Sequence, residues 1–194
     1  MTYQFTKTHP LGTVWVSDQY QVGYLNIPCC ASESLKPMMA EYGAVEQHHV
    51  DPGVRLFTVV RDPFDRLVTA INRYAVRYNH NLSEVVEDTI RRLQHPPWQP
   101  FDEHSTPQWT FMVYPIDMIV PLESLTVRLP AVFEEWGLPT PTVRHVNRTP
   151  PEKTLQIAEA IRPHYSPTVF PLDTTLYRQV SHSDTVQGIV GAGL

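Results

Sequence analysis

Cysteine, glycine and long apolar runs are all scarce in this 194-residue chain, and each scarcity closes off a class of protein. The only two cysteines, Cys29 and Cys30, are neighbours, which suits neither an ordinary structural disulfide nor the ligand set of a zinc site. Reduced thiols and no metal are the expectation. No run of about 18 apolar residues occurs, and no basic-then-apolar leader opens the chain, so neither a membrane span nor a secretory signal is expected and the location reads as cytoplasmic. Glycine numbers only eight and never forms Gly-x-x-x-x-Gly-Lys-Ser/Thr, which weighs against a phosphoryl-transferring P-loop kinase. Positive charge is not in excess either. A net charge of -5 argues against nucleic-acid binding through the overall field, while leaving room for a local basic pocket around one small anion.

What the chain does have is the composition of a folded protein: 42% hydrophobic residues against 18% charged. Its length predicts one domain over residues 1–180, with the glycine-containing stretch 181–194 as a flexible tail. Many of the nineteen prolines come in close groups, such as Pro96-Pro97 and Pro150-Pro151, and read as rigid loops.

Short apolar runs alternate with helical periodicity. VGYLNI (22–27) reads as a buried strand; after a small-residue loop, Leu35, Met38, Met39 and Tyr42 recur at helical spacing from Ser34 onward, with Pro37 in the first turn. VRLFTVV (54–60) is a second strand, and Asp62 and Pro63 are a good N-cap and first residue for a helix over 64–78. Further helices are expected over 82–93, capped by Ser83, over 125–136, ended by Gly137, and over 151–161, with a strand at 117–120 and loop over 96–108. The alternation predicts an α/β fold: a three-layer arrangement with a central, mostly parallel sheet flanked by helices and ligands at the carboxyl ends of the strands.

The block VVRDPFDRLVTAINRY (59–74) sets Arg61 at a strand end and Thr69 about two turns into the helix, so that both can face one anion. An arginine fork with a hydroxyl at a helix start suits a phosphate monoester, whose many acceptor oxygens need partners. Taken alone, Arg61, Asp62, Asp65 and Arg66 are better read as a surface ion-pair cluster around an ordinary helix start. The block nevertheless resembles the 3'-phosphate motif of carbohydrate sulfotransferases that use 3'-phosphoadenosine 5'-phosphosulfate (PAPS), in which a hydrophobic strand leads into Arg-Asp-Pro and a later Ser or Thr. Upstream, IPCCASESL (27–35) resembles the family's 5'-phosphosulfate loop, where backbone amides at a helix start hold phosphate. The chain departs from the family pattern there: Cys29 stands where a lysine usually follows the proline, and Glu33 where Thr or Ser is usual. Lys36 matches a second basic position in some relatives; as a residue of a solvated helix face it needs no such role.

The resemblance continues through DEHSTPQ (102–108), similar to a His-x-x-Pro-Gln element whose histidine accepts the acceptor's proton, which nominates His104 among the nine histidines. DMIVPLESL (117–125) resembles the family's next strand and acidic turn, and HVNRT (145–149) a loop near the nucleotide, where Asn147, Arg148 and Thr149 are candidate donor contacts or merely loop caps.

The resemblance thus implies a P-loop-type sulfotransferase architecture with PAPS as donor, adenosine 3',5'-bisphosphate (PAP) as product, no metal, and a carbohydrate or small alcohol as acceptor. Pro28, Cys29, Cys30, Ala31, Ser32, Glu33 and Ser34 would line the 5' side, Arg61 and Thr69 would hold the 3'-phosphate, Arg148 would touch the donor, and His104 and Lys36 would carry the chemistry. The alternative is a non-catalytic nucleotide-binding homologue that has lost the lysine of the loop. Nucleic acid and membrane are not expected as partners, and the sequence is silent on oligomeric state.

Overall fold

The computed structural model describes residues 12–144, 150–182 and the backbone of 187–189. It is an α/β fold built on one six-stranded mixed sheet in the order β3-β1-β2-β4-β5-β6, formed by β1 (Thr13–Ser17), β2 (Val22–Asn26), β3 (Val45–Gln47), β4 (Arg55–Val60), β5 (Ile116–Pro121) and β6 (Gln187–Ile189). Only the centre is parallel: β2 pairs with β4, and β4 with β5. The outer pairs, β1 with β2, β1 with β3 and β5 with β6, are antiparallel. The expectation of a mostly parallel sheet is thereby corrected to a mixed one, because the strands that flank the parallel centre on both sides are short and none is announced by a buried apolar run. β6 lies inside the stretch expected to be a loose tail.

Among the described residues six α-helices accompany the sheet: α1 (Ser32–Glu41), α2 (Pro63–Arg77), α3 (Leu82–Gln94), α4 (Leu125–Glu135), α5 (Pro151–Ile161) and α6 (Pro171–His182). α1 packs on β1 and β2, α4 and α6 on β5, while α2, α3 and α5 pack on one another. The core is correspondingly in two parts. One joins the sheet to α1 and α4 through residues such as Tyr24, Leu25, Phe57 and Phe133, and the other joins α2, α3 and α5 through Leu67, Ile71, Ile157 and Ile161. Each fully buried side chain of this size contributes about 1.5–3 kcal/mol of burial. Where β2 meets β4, a Cβ at Gly23 would lie 2.5 Å from Leu56 Cδ2, so a larger residue there would force the Leu56 side chain to shift.

Local chemistry explains the boundaries. α2 starts where the Asp62 carboxylate accepts from the Phe64 and Asp65 amides, with Pro63 in the first turn. α4 stops at Gly137, whose φ of 69° closes the helix C-terminus. Two expectations shift. Asn81, rather than Ser83, caps α3, since its side chain accepts from the Ser83 amide. α1 begins at Ser32, so Pro37 is its sixth residue and lies beyond the first turn; being exposed, it leaves the orphaned Glu33 carbonyl close to water. Among the described residues no helix is long and apolar enough to cross a membrane.

Candidate functional site

Two strand-to-helix crossovers lie side by side at the carboxyl ends of the parallel strands. The first runs from β2 to α1. Cys29 and Ala31 both take left-handed backbone angles, with φ of 65° and 63°. For residues with a Cβ, that conformation costs roughly 1–2 kcal/mol each, so the surroundings must enforce it. Cys30 does much of this: its amide donates to Ile27 O (3.2 Å), its carbonyl accepts from the Tyr24 hydroxyl (3.3 Å), and its buried thiol donates to Gln108 Oε1 (3.2 Å). The Ala31 carbonyl then accepts from the Ser34 and Leu35 amides, both at 2.9 Å, and opens α1 with no side-chain cap. Left-handed residues of this kind help curl backbone amides into a concave nest, in which the Cys30 and Ser34 amides are already taken by Ile27 O and Ala31 O.

The second crossover runs from β4 to α2. Gln108 clamps its backbone: Arg61 N donates to Oε1 and Nε2 donates to Arg61 O, both at 2.9 Å. Gln108 is itself held through its amide, which donates to the buried Asp173 carboxylate at 2.7 Å, with Trp109 N donating to the other oxygen at 3.0 Å. Burial pushes the Asp173 carboxyl up, and those two amides pull it back. With its backbone fixed, Arg61 extends Nη1 to Thr69 Oγ1 at 2.7 Å, and the Thr69 hydroxyl donates to Asp65 O at 3.1 Å.

Arg66, on the same helix, ties the two crossovers together. It is 3% exposed; Nε donates to Pro28 O (2.9 Å) and Nη1 to Thr106 O (2.6 Å), while Nη2 is buried with no acceptor among the described residues. One helical stripe, Arg66, Thr69 and Arg73 at i, i+3 and i+7, thus runs beside the first crossover. Arg73 ends that stripe in a 3.4 Å ion pair with Glu33 of α1, both side chains substantially exposed. Exposed pairs of this kind contribute only about 0–1 kcal/mol.

These arginines act on the partly buried Cys29 thiol. Its pKa is pushed up to about 11, chiefly by burial, against the opposing pull of Arg66, Arg73 and Arg61. Burial also pushes Cys30 up, to about 12. Both sulfurs are neutral thiols at neutral pH, and the positive charge beside the loop belongs to the arginines.

The 102–108 loop supplies an oriented histidine. Asp102, 5% exposed, accepts the His104 and Ser105 amides on Oδ1 and faces His104 Nδ1 with Oδ2 at 2.9 Å. An ionised carboxylate can only accept, so Nδ1 carries the hydrogen and Nε2 of the neutral ring keeps its lone pair. Glu103 lies 3.7 Å from the same Nδ1 and is paired with Arg77 at the end of α2. Asp102, Glu103 and His104 bring ligand atoms within 4.8 Å of one another. Within this group Asp102 is bound to His104 and two amides, and Glu103 to Arg77. Asp102 also registers on the Cys29 thiol, which puts this loop within electrostatic range of the first crossover.

Of the residues nominated from sequence, the structure brings together Pro28 to Ser34, Arg61 and Thr69, with His104 on the adjoining loop. Lys36 is turned elsewhere: its ammonium sits 5.8 Å from the centre of the Trp15 ring on β1, because one helical turn carries it off the loop. Arg148, with Asn147 and Thr149, lies outside the described residues. Sequence reasoning passed over Arg66, Gln108, Asp102 and Asp173. Gln108 and Asp102 bracket the motif that nominated His104, and Arg66 lies within the 59–74 block, yet an arginine is expected to be solvated unless paired.

Fold and site together define an α/β protein with an arginine-lined pair of crossovers beside an aspartate-oriented histidine. Compared with family models, with curated proteins and with solved structures, the chain matches none.

Proposed function

We propose that this protein is a cytoplasmic sulfotransferase of P-loop-like architecture, moving a sulfuryl group from PAPS to a hydroxyl of a carbohydrate or small alcohol. The observation that carries this reading is the Arg61–Thr69 contact at 2.7 Å, held at the head of α2 beside the Cys29–Ala31 nest. Arginine and threonine together offer a fork of N-H donors and a hydroxyl to a ribose 3'-phosphate. The nest and first turn of α1 offer backbone amides to the 5'-phosphosulfate.

His104 Nε2 then takes the acceptor's proton as its oxygen attacks sulfur. A new S–O bond forms to the acceptor, the bond from sulfur to the 5'-phosphate oxygen breaks, and its electron pair stays on that oxygen to give PAP. Asp102 holds the imidazole in the tautomer this step needs and stabilises the imidazolium that results. Asp102→Asn should therefore depress turnover more than donor affinity, on the order of a hundredfold.

The test is a titration with adenosine 3',5'-bisphosphate beside AMP. The bisphosphate should bind far more tightly, and Arg61→Ala should remove about 2–4 kcal/mol of that affinity. Equal affinity for the two nucleotides, or a loss below about half a kcal/mol, overturns the reading. One observation favours a second reading, that of a non-catalytic nucleotide-binding protein: the Cys29 thiol, pushed up to about 11, brings no charge to the leaving oxygen. Labelled PAPS offered with a panel of alcohols separates the two, since binding without turnover, with turnover restored by Cys29→Lys, is the outcome of the second alone.

A further inference from the structure

The anion loop has three arginines near it, and they are not equivalent. Arg61 is engaged with Thr69, and Arg66 is buried, with two of its nitrogens committed to Pro28 O and Thr106 O. Arg73 alone is both partly exposed and held by a carboxylate, Glu33, which itself sits in the first turn of α1. A carboxylate at that position occupies the neighbourhood where the amides of an uncapped helix start favour negative charge. A second sign that this neighbourhood wants an anion is independent of the helix end: the buried Nη2 of Arg66 has no acceptor among the described residues, on a side chain whose Nε is bonded to the loop carbonyl of Pro28.

We propose that Arg73 is the cation for the 5' side of the donor and that Glu33 is its resting counter-ion, displaced when the 5'-phosphate or phosphosulfate arrives. The inference rests on the sulfotransferase reading and deepens it, assigning the charge that a lysine at position 29 would have supplied. The exchange is favourable because the pair is long and exposed, whereas an incoming group with more charge and more acceptor oxygens can engage the guanidinium and the nest amides at once. Glu33 lets the empty site keep Arg73 neutralised and aligned along the α2 stripe.

The experiment is calorimetric titration of the wild-type chain and of Arg73→Gln, Arg73→Lys, Glu33→Gln and the Glu33→Gln/Arg73→Gln double variant. Two probes are used: adenosine 3',5'-bisphosphate and adenosine 3'-monophosphate, which lacks the 5' group. For the bisphosphate, Arg73→Gln should weaken binding about tenfold or more, Arg73→Lys clearly less, and Glu33→Gln should tighten it roughly threefold. The double variant should match Arg73→Gln alone, since Glu33 acts through Arg73. The monophosphate should respond to none of these changes while still losing affinity with Arg61→Ala. Unchanged bisphosphate affinity in Arg73→Gln, or weaker binding in Glu33→Gln, overturns the assignment and leaves the 3'-phosphate reading standing if Arg61→Ala retains its effect. Absence of binding by both nucleotides to the wild-type chain overturns both.

Discussion

The two crossovers begin their helices in opposite ways. At β4–α2 the chain closes on itself: Asp62 accepts two first-turn amides, Pro63 has none to offer, and Gln108 occupies the Arg61 amide and carbonyl. At β2–α1 the N-cap is Ala31, which has no oxygen to give, and the turn before it is bent through two left-handed residues. The α2 start is already neutralised by its own carboxylate and can meet an anion only through the side chains of Arg61 and Thr69. The α1 start has no side-chain cap, so its amides that are not bonded back to Ile27 O or Ala31 O are left to meet an anion through the backbone. Adjacent crossovers thus form two chemically distinct half-sites, one of side chains and one of amides, joined by Arg66.

That division predicts unequal responses to mutation, and the joint is the place to break it hardest. Arg66→Gln removes a buried guanidinium and leaves the Pro28 and Thr106 carbonyls without their donor. It should destabilise the protein by about 3 kcal/mol in urea unfolding. A cost below about 1 kcal/mol would mean that the crossovers hold their positions without it.

The next effect is a loss of stability at high pH that originates on the amide side. Both thiols hold their protons more tightly when folded, with pKa values of about 11 for Cys29 and about 12 for Cys30 against the ordinary 9.0. Between those values the unfolded chain has shed protons that the native state keeps, so stability is full below about pH 9 and falls as pH rises toward 11 and 12. Buried tyrosines such as Tyr24, also pushed up, add to the same slope. Cys30→Ala should flatten part of it, and an unchanged profile would mean that the thiols are not the groups responsible.

Much of this arrangement was legible in the sequence, for reasons that particular residues make plain. The runs at 22–27 and 54–60 are apolar on both sides because β2 and β4 are interior strands, and Asp62-Pro63 announced α2 by a cap that the structure contains. The strands outside the parallel centre left no such mark. β1 is the alternating TVWVS, β3 has only three residues with two exposed, and β6 is equally short, so none stands out as a buried run. In the candidate site, Arg61 and Thr69 were readable because Arg61 ends β4 just before α2 and Thr69 lies about two turns into that helix, where the arginine reaches it. Arg66 was not, because its burial depends on carbonyls 38 and 40 residues away in sequence. Lys36 lies off the loop for a local reason: helix rotation, set by burying Leu35, Met38 and Met39, turns it toward Trp15.

The two helix caps sharpen the comparison further. Asp62→Ala removes the carboxylate that satisfies the Phe64 and Asp65 amides, and should cost about 1 kcal/mol of stability. The same kind of change at the other cap should have the opposite sign.

In Ala31→Gly the residue keeps its φ near 63° without a Cβ, which relieves strain of roughly 1–2 kcal/mol. Against this stand the larger freedom of glycine in the unfolded chain, about 0.5–1 kcal/mol, and the loss of one methyl packed beside the core. The net gain should therefore be small, a few tenths of a kcal/mol by urea unfolding. Because the amides and not the methyl face the anion, affinity for adenosine 3',5'-bisphosphate should stay within about twofold of wild type. A clear loss of affinity with unchanged stability would mean that the left-handed bend is held in place by the Ala31 side chain, and that the amide half-site is less independent of its side chains than the contrast with Asp62 requires.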